Sequence, residues 1–276
     1  MTRGVLTTWT SGTALEREYR AADRATSRVP PPDAPFELAA HDPRAIARAR
    51  RTWLDRMVDE HASASVFARI AIDLAEASAP IDVVAVSLRM AHDEIRHAEI
   101  CGEVVRALGA RPERTRDTRA PDVARHPGAC PVERATRNVL VASCLSESAS
   151  VAYFVAALER VTDPFLRGQI RRLLADEVLH ARFGFMWLEV VSPWLAERPA
   201  IRASIGRYLR HAFAVVERER CGPTLRAATL ADEPFGTVAG EAWREVFAST
   251  MADAVVPGLE RAGIPAADAW ARRSLT

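Results

Sequence analysis

The stretches DEIRH at residues 93–97 and DEVLH at residues 176–180 write one phrase, Asp-Glu-x-x-His, twice in the same chain. With this content of Asp, Glu and His, chance predicts about 0.03 copies, so the repeat is a signal rather than background. On a helix, residues three apart share a face, so Glu94 and His97 point together, as do Glu177 and His180. Each pair offers a carboxylate oxygen and an imidazole nitrogen to one metal ion. A lone glutamate stands upstream of each pair: Glu60, 34 residues before Glu94, and Glu147, 30 residues before Glu177. Glu147 lies in CLSESASVAYF, where its neighbours are small or apolar for a turn in each direction. A carboxylate buried there is costly unless it meets a cation. Two lone glutamates plus two Glu-x-x-His pairs, each from its own helix, are what a helical bundle needs to hold two metal ions.

The elements that must carry these residues are legible from breakers and periodicity. Asp42-Pro43 forms an N-cap followed by proline at the first helical position, and no Gly or Pro interrupts the chain until Pro80, which predicts a helix over about 43–78. Pro80 opens a second helix that Gly109 stops, with Val83, Val84, Leu88, Ile95, Val104 and Leu108 at helical spacing. Residues 109–130 are rich in Arg and Pro and long for a loop, as expected for a connection crossing from one end of a bundle to the other. Pro131 begins a third helix, to about Val161, and Asp163-Pro164 repeats the capping device for a fourth, to about Val191. Residues 1–40 read as an extended arm with one short helix around ALEREYRAADRA, ahead of a body over 41–276. Helices around 199–220 and 237–256 form a C-terminal extension, about 192–276. No stretch alternates apolar and polar residues well enough to predict a strand. The expected fold is all-α, a four-helix bundle with added C-terminal helices.

The doubled pattern E-x(32)-D-E-x-x-H and E-x(28)-D-E-x-x-H resembles the ferritin-like di-iron carboxylate superfamily over residues 43–191, and within it the arylamine N-oxygenase type. The resemblance implies Glu60, Glu94, His97, Glu147, Glu177 and His180 as ligands of two iron ions, with manganese as the alternative metal. It also implies that Asp93 and Asp176 accept hydrogen bonds from the non-ligating nitrogens of the bound histidines, which fixes ring orientation and raises basicity. The expected pairing is crossed, Asp93 with His180 and Asp176 with His97. The N-oxygenases carry one more histidine ligand a turn before the second Glu-x-x-His; Leu173 stands there in this chain.

Other candidates read as structural. His61 and His92 lie about 100° or 200° round the helix from the neighbouring ligand and should face away. His211 sits on a helix able to cover the site, and a lone histidine is more often structural. Cys144 reads equally as a pocket-lining residue or a small buried hydrophobe, and Tyr153 as core with its hydroxyl at an edge. Arg96 and Arg182 are expected to neutralise the acidic groups of the motifs.

Composition narrows the function. All 37 basic residues are Arg, which excludes chemistry needing a lysine amine. A net charge of +1 gives no footprint for nucleic acid, and no run approaches 18 uninterrupted apolar residues, so neither nucleic acid nor membrane is expected. Cys101, Cys130, Cys144 and Cys221 form no C-x-x-C pair, which argues against structural zinc, a redox dithiol or an internal electron-transfer module. The N-terminal sequence lacks the apolar core of a secretory signal, so a cytoplasmic location is expected. Four carboxylates and two imidazoles suit iron or manganese better than zinc or copper. The favoured function is therefore an O2-dependent oxygenase that hydroxylates or N-oxygenates a small molecule, with electrons from a separate reductase or ferredoxin. A rubrerythrin-like peroxidase or ferroxidase and a non-catalytic metal-binding scaffold are the alternatives. The long helices and the arm suggest a homodimer.

Overall fold

A computed structural model describes residues 3–7, 14–27, 29–33, 35–117, 123–222 and 228–274. The remaining parts of the N-terminal arm, of the 109–130 connection and of the loop after residue 220 lie outside the described residues.

The helices are α1 (Ala14–Thr26), α2 (Pro43–Glu76), α3 (Ile81–Ala107), α4 (Pro131–Arg160), α5 (Pro164–Ala196), α6 (Pro199–Arg220), α7 (240–261) and α8 (Ala266–Ala271). The all-α expectation holds for the body, and the capping devices do what their chemistry suggests. The Asp42 carboxylate accepts a hydrogen bond from Ala45 N–H at 2.9 Å, and Asp163 accepts from Leu166 N–H at 2.9 Å. Gly109, at φ +76°, ends α3: its N–H donates to the Arg106 carbonyl, and Ala110 N–H donates to the Val105 carbonyl.

α2 packs on α3, α3 on α5, α5 on α4 and α4 on α2, a closed ring of four long helices. Trp53, Met57, Phe67, Ile70, Met90, Leu145 and Leu173 are completely or almost completely buried among them. Each such side chain contributes roughly 1.5–3 kcal/mol on leaving water. The described parts of the connection after α3 lie at both ends of α2. Arg50 near the start of α2 holds the Leu108 carbonyl, Arg114 pairs with Asp55, and Arg134 at the start of α4 reaches Asp73 and Glu76 at the far end of α2. α4 then returns antiparallel to α2, so that Tyr153 comes beside Arg56.

Three expectations need correction. First, a strand pair exists: β1 (Arg3–Thr7) runs antiparallel to β2 (Glu113–Asp117), joining the arm to the long connection. Neither segment alternates clearly, and the pairing is between residues over 100 positions apart, so no local signal marks it. Second, α5 continues through Pro193 to Ala196. Proline deprives the Glu189 carbonyl of its helical donor, but Glu189 lies on the exposed face, where water can serve that carbonyl, and buried Leu195 anchors the last turn. Third, the helix expected over 237–256 begins at Gly240, after a 3-10 turn at Leu230–Phe235, and passes through a π segment at Met251–Val255 before ending at Arg261. The arm's α1 lies against α3, where Tyr19 donates to Glu99 at 2.8 Å and Arg20 pairs with the same carboxylate.

α4 contains the feature with the most bearing on the site. Residues Leu140–Glu147 form a π segment, which ends on Glu147. Its wider turn delays the rotation of everything that follows relative to an α-helix, and π segments concentrate at functional sites. Ser143 inserts its hydroxyl into the ladder of α5, donating to the His180 carbonyl and accepting from Gly184 N–H. The close approach depends on Gly184, because a Cβ there would lie 2.4 Å from Cys144 Sγ and 3.0 Å from the Cys144 backbone nitrogen. Gly184→Ala is therefore expected to destabilise the fold by about 1–3 kcal/mol, seen as a lower denaturant midpoint at unchanged slope. α4 is also long and apolar enough to cross a membrane; its packing between α2, α5 and α6 accounts for that composition.

Candidate metal centre

Four helices each bring one or two polar side chains to a point where the surrounding core is apolar. α3 supplies Glu94 and His97, α5 supplies Glu177 and His180, and all four are fully buried. One ligand-type atom from each lies within 4.8 Å of the others, a set that can hold a metal ion. His97 Nδ1 is 3.3 Å from Glu177 Oε1, 3.6 Å from Glu60 Oε2 and 3.7 Å from Glu94 Oε2. His180 Nδ1 is 3.0 Å from Glu94 Oε1 and 3.5 Å from Glu177 Oε2, and the two imidazoles are 5.5 Å apart. These atoms face one another without aligning as donors and acceptors. Neither Nδ1 makes a hydrogen bond of acceptable direction, nor do His97 Nε2, Glu94 Oε1 and Glu177 Oε2. Converging buried lone pairs of this kind are what a cation satisfies, so the residues fit a metal. Glu60 on α2 thus joins the cluster at the His97 side, and Glu147 on α4 adjoins Glu177 and His180.

The rings are held from behind. His97 Nε2 lies 3.5 Å from Asp176 Oδ2, and His180 Nε2 lies 3.5 Å from Asp93 Oδ2, the crossed arrangement in which each motif's aspartate serves the other motif's histidine. This leaves Nδ1 of each ring turned toward the glutamates. Buried Arg96 lies between the two aspartates, donating to Asp93 Oδ1 at 2.8 Å and to Asp176 Oδ2 at 2.7 Å. Arg182, expected to share that task, is exposed on α5 instead. It is five residues beyond Glu177 and so turns away from the ligand face.

The protonation pattern follows from burial and neighbours. Burial alone would lower the His97 imidazole, but Asp176, Glu177, Glu60 and Glu94 around it outweigh that and hold it well above its usual value. The same contest, with Asp93, Glu177 and Glu94 winning, raises His180. Burial raises the Glu147 carboxyl well above the usual range, reinforced by Glu177 and Glu94, and raises Glu60 to about 7 against the pull of His97. Burial opposes the charges on Glu94 and Glu177, yet the two histidines hold both carboxyls below their ordinary values. Without metal, these neighbours favour the charged forms of His97, His180, Glu94 and Glu177 and the neutral acids of Glu60 and Glu147. A metal needs the lone pairs these protons occupy, so loading must release protons and affinity must fall as pH falls. Titration with Fe(II) at pH 7 in two buffers of different ionisation heat should show more than one proton released per chain; heats independent of buffer would contradict the assignment.

The other candidates fall outside the cluster. Leu173 is fully buried. Cys144 packs against Gly184, and Tyr153 is buried with its hydroxyl accepting from Val238 N–H, so both serve packing. His92 lies against Tyr19 of α1, and His61 is not among the clustered residues.

Two cavities reach the lone glutamates. The larger, about 810 Å³, has Glu60 in its wall together with Arg56, Tyr153, Phe154 and Trp243. The smaller, about 440 Å³, touches Glu147 and is bordered by Phe67, Tyr208 and exposed His211. Glu219 and Arg220 at the end of α6 line both. Ser143 and Arg56 escaped the sequence reading, although each stands four residues before a lone glutamate, Ser143 before Glu147 and Arg56 before Glu60. No protein-family model matches the chain, and no curated protein matches it significantly.

Proposed function

We propose that the chain is a ferritin-like di-iron oxygenase that uses O2 to oxidise a small molecule by hydroxylation or N-oxygenation. The observation that carries this reading is the pair of converging Glu/His sets, buried and short of hydrogen-bond partners, with buried Glu147 on one side and half-buried Glu60 on the other, beside a cavity of about 810 Å³ that reaches Glu60. Two iron ions would be held by Glu60, Glu94, His97, Glu147, Glu177 and His180, and when bound they supply the activation of O2. Four carboxylates match the charge of two divalent ions, so exchanging the site's protons for metal leaves it near neutral.

The chain's own residues do the rest. Asp93, hydrogen-bonded to His180 Nε2, and Asp176, 3.5 Å from His97 Nε2, favour a proton on those nitrogens and so leave Nδ1 for the metal. Ser143 ties the segment carrying Glu147 to the helix carrying His180, so that ligands from two helices move as one body. The cavity gives room for a small molecule beside Glu60. A cavity of this size favours an oxygenase over iron storage or a bare scaffold. With no redox motif in the sequence, electrons come from a separate reductase or ferredoxin, in a cytoplasmic setting.

The test is metal analysis of purified protein, followed by anaerobic Fe(II) loading and exposure to O2. Two irons per chain, and O2 uptake that stops after one cycle unless reductant is added, are the expected results. Steady formation of ferric mineral would favour iron handling, and stoichiometric zinc in place of iron would sink the proposal.

A further inference from the structure

We infer that residues 123–130 form a pH-sensitive flap over the smaller cavity, and that His126 is the latch holding it shut. The latch belongs to the fold, so it can be tested whether or not the metal centre performs the proposed oxidation.

Val123 and Ala124 supply part of the wall of the smaller cavity, the one that reaches Glu147. Within 123–130 His126 alone is buried; the other residues are half-buried or exposed. The segment is therefore attached mainly through one side chain. That ring lies edge-on to Tyr208 of α6, with centres 4.9 Å apart, and its Nε2 is 3.0 Å from Asn138 Oδ1. The Asn138 amide is oriented by donating to Asp73 Oδ2 at 2.8 Å and to the Ala124 carbonyl at 3.1 Å, which leaves its oxygen to accept. A neutral imidazole with its proton on Nε2 supplies the donor. The backbone adds tension, because His126 sits at φ +48° directly before Pro127. Sterics disfavour that left-handed conformation for a residue with a side chain, and the following proline disfavours it further, so contacts must hold it. Strained residues of this kind concentrate in switch segments.

A proton on Nδ1 works against the latch. The charged and titratable groups packed around His126 are Asp73 from α2, Glu133 and Arg137 from α4, and Tyr208 from α6. Arg137 lies 5.2 Å from the centre of the same Tyr208 ring, fixed there by Glu133 and Ser204, so a charged His126 would be a second cation against that ring. Asp73 is already shared by Arg69, Arg134 and Asn138. Burial pushes Tyr208 up to about 12, so it stays neutral. Exposed Arg125 precedes His126 in the flap, and exposed His211 lies three residues beyond Tyr208 on α6. Burial holds the His126 imidazole below its ordinary value and Arg137 adds to the effect, against the pull of Asn138, Asp73 and Glu133. The closed flap thus binds a proton less well than the open one. Closure is strongest above the ordinary imidazole value of 6.5 and weakens as pH falls below it. Acid frees the flap and opens the cavity toward Glu147.

The experiment is amide hydrogen exchange of the full chain at about pH 7.5 and about pH 5, read by mass spectrometry on peptides covering 123–130 and corrected for the intrinsic exchange rate. Protection should fall roughly fivefold or more at the lower pH. His126→Gln, which can still donate to Asn138 but cannot take up a proton, should stay protected at both. His126→Ala should be unprotected at both, with circular dichroism and thermal unfolding establishing that each variant is folded. His211→Gln should keep the parent's pH dependence, and the His126 ring should titrate by NMR with a midpoint below 6.5. Equal protection of the parent at the two pH values would overturn the inference. So would a His126→Gln chain that opens in acid as the parent does, a pH dependence that vanishes in His211→Gln, or a His126 midpoint at or above 6.5.

Discussion

Replacing Glu147 by alanine is expected to reduce iron from two ions per chain to at most one, while the chain stays folded. Glu147 is buried at the end of the π segment, and its carboxyl is held toward the neutral acid by burial and by Glu177 and Glu94 nearby. In the metal-free protein it contributes no ion pair to lose. Its removal therefore costs little beyond the space it leaves, whereas the metal that needs its charge loses a ligand from one helix of the four. Glu147→Gln separates the two effects, since it keeps the shape and removes the charge. Both variants should show the same iron loss, and Gln should unfold within a few degrees of the parent. Two irons retained per chain in either variant would remove Glu147 from the ligand set.

Replacing Arg96 by methionine is expected to have the largest effect on stability. Arg96 is 2% exposed and joins Asp93 to Asp176, both buried, from α3 to α5. Its Nε also lies 3.6 Å from Asp23 of α1. Taking away the cation leaves Asp93 to Arg89 and His180 and Asp176 to His97, so two buried carboxylates lose the donor they share, a change that costs up to about 3–5 kcal/mol. In a chain of this size that corresponds to a fall in Tm of roughly 6–20 °C. Adding Asp93→Asn and Asp176→Asn to Arg96→Met removes the stranded charges and should recover part of the loss. A Tm within 2 °C of the parent for Arg96→Met alone would show that the aspartates do not depend on Arg96.

Much of the fold was legible because it is written locally. Asp42-Pro43 and Asp163-Pro164 announce helix starts through side-chain chemistry that acts within one turn, and both caps form. The Glu-x-x-His spacing fixes which residues share a face, and the structure brings Glu94, His97, Glu177 and His180 together. What stayed hidden depends on contacts between segments far apart in the chain. The β1–β2 ribbon is set by pairing of Arg3–Thr7 with Glu113–Asp117, and neither strand carries a pattern of its own. The π segment has the composition of an ordinary apolar helix; it is recognised only when Ser143 is seen in the ladder of α5 against Gly184. Pro193 reads as a terminator, yet the exposed position of Glu189 lets the helix pass. The walls of the larger cavity come from α2, β2, α4, the end of α6 and the stretch from Ala228 to Trp243, regions whose meeting no local rule foretells.

The π segment means that the position of Glu147 is stored in the length of the chain as well as in its letters. Deleting one residue between Leu140 and Glu147 alters no remaining side chain; a segment that relaxes to α-helical bonding absorbs the deletion, whereas one that keeps its wide turn rotates the two halves of α4 against each other by about 100°. In the second case Asn138 and Glu147 could not both keep their present partners, Asp73 on one side and Glu177 on the other. Single-residue deletions along α4 should accordingly separate two properties that substitutions leave entangled: the helix can remain folded and apolar while the carboxylate that completes the centre points elsewhere.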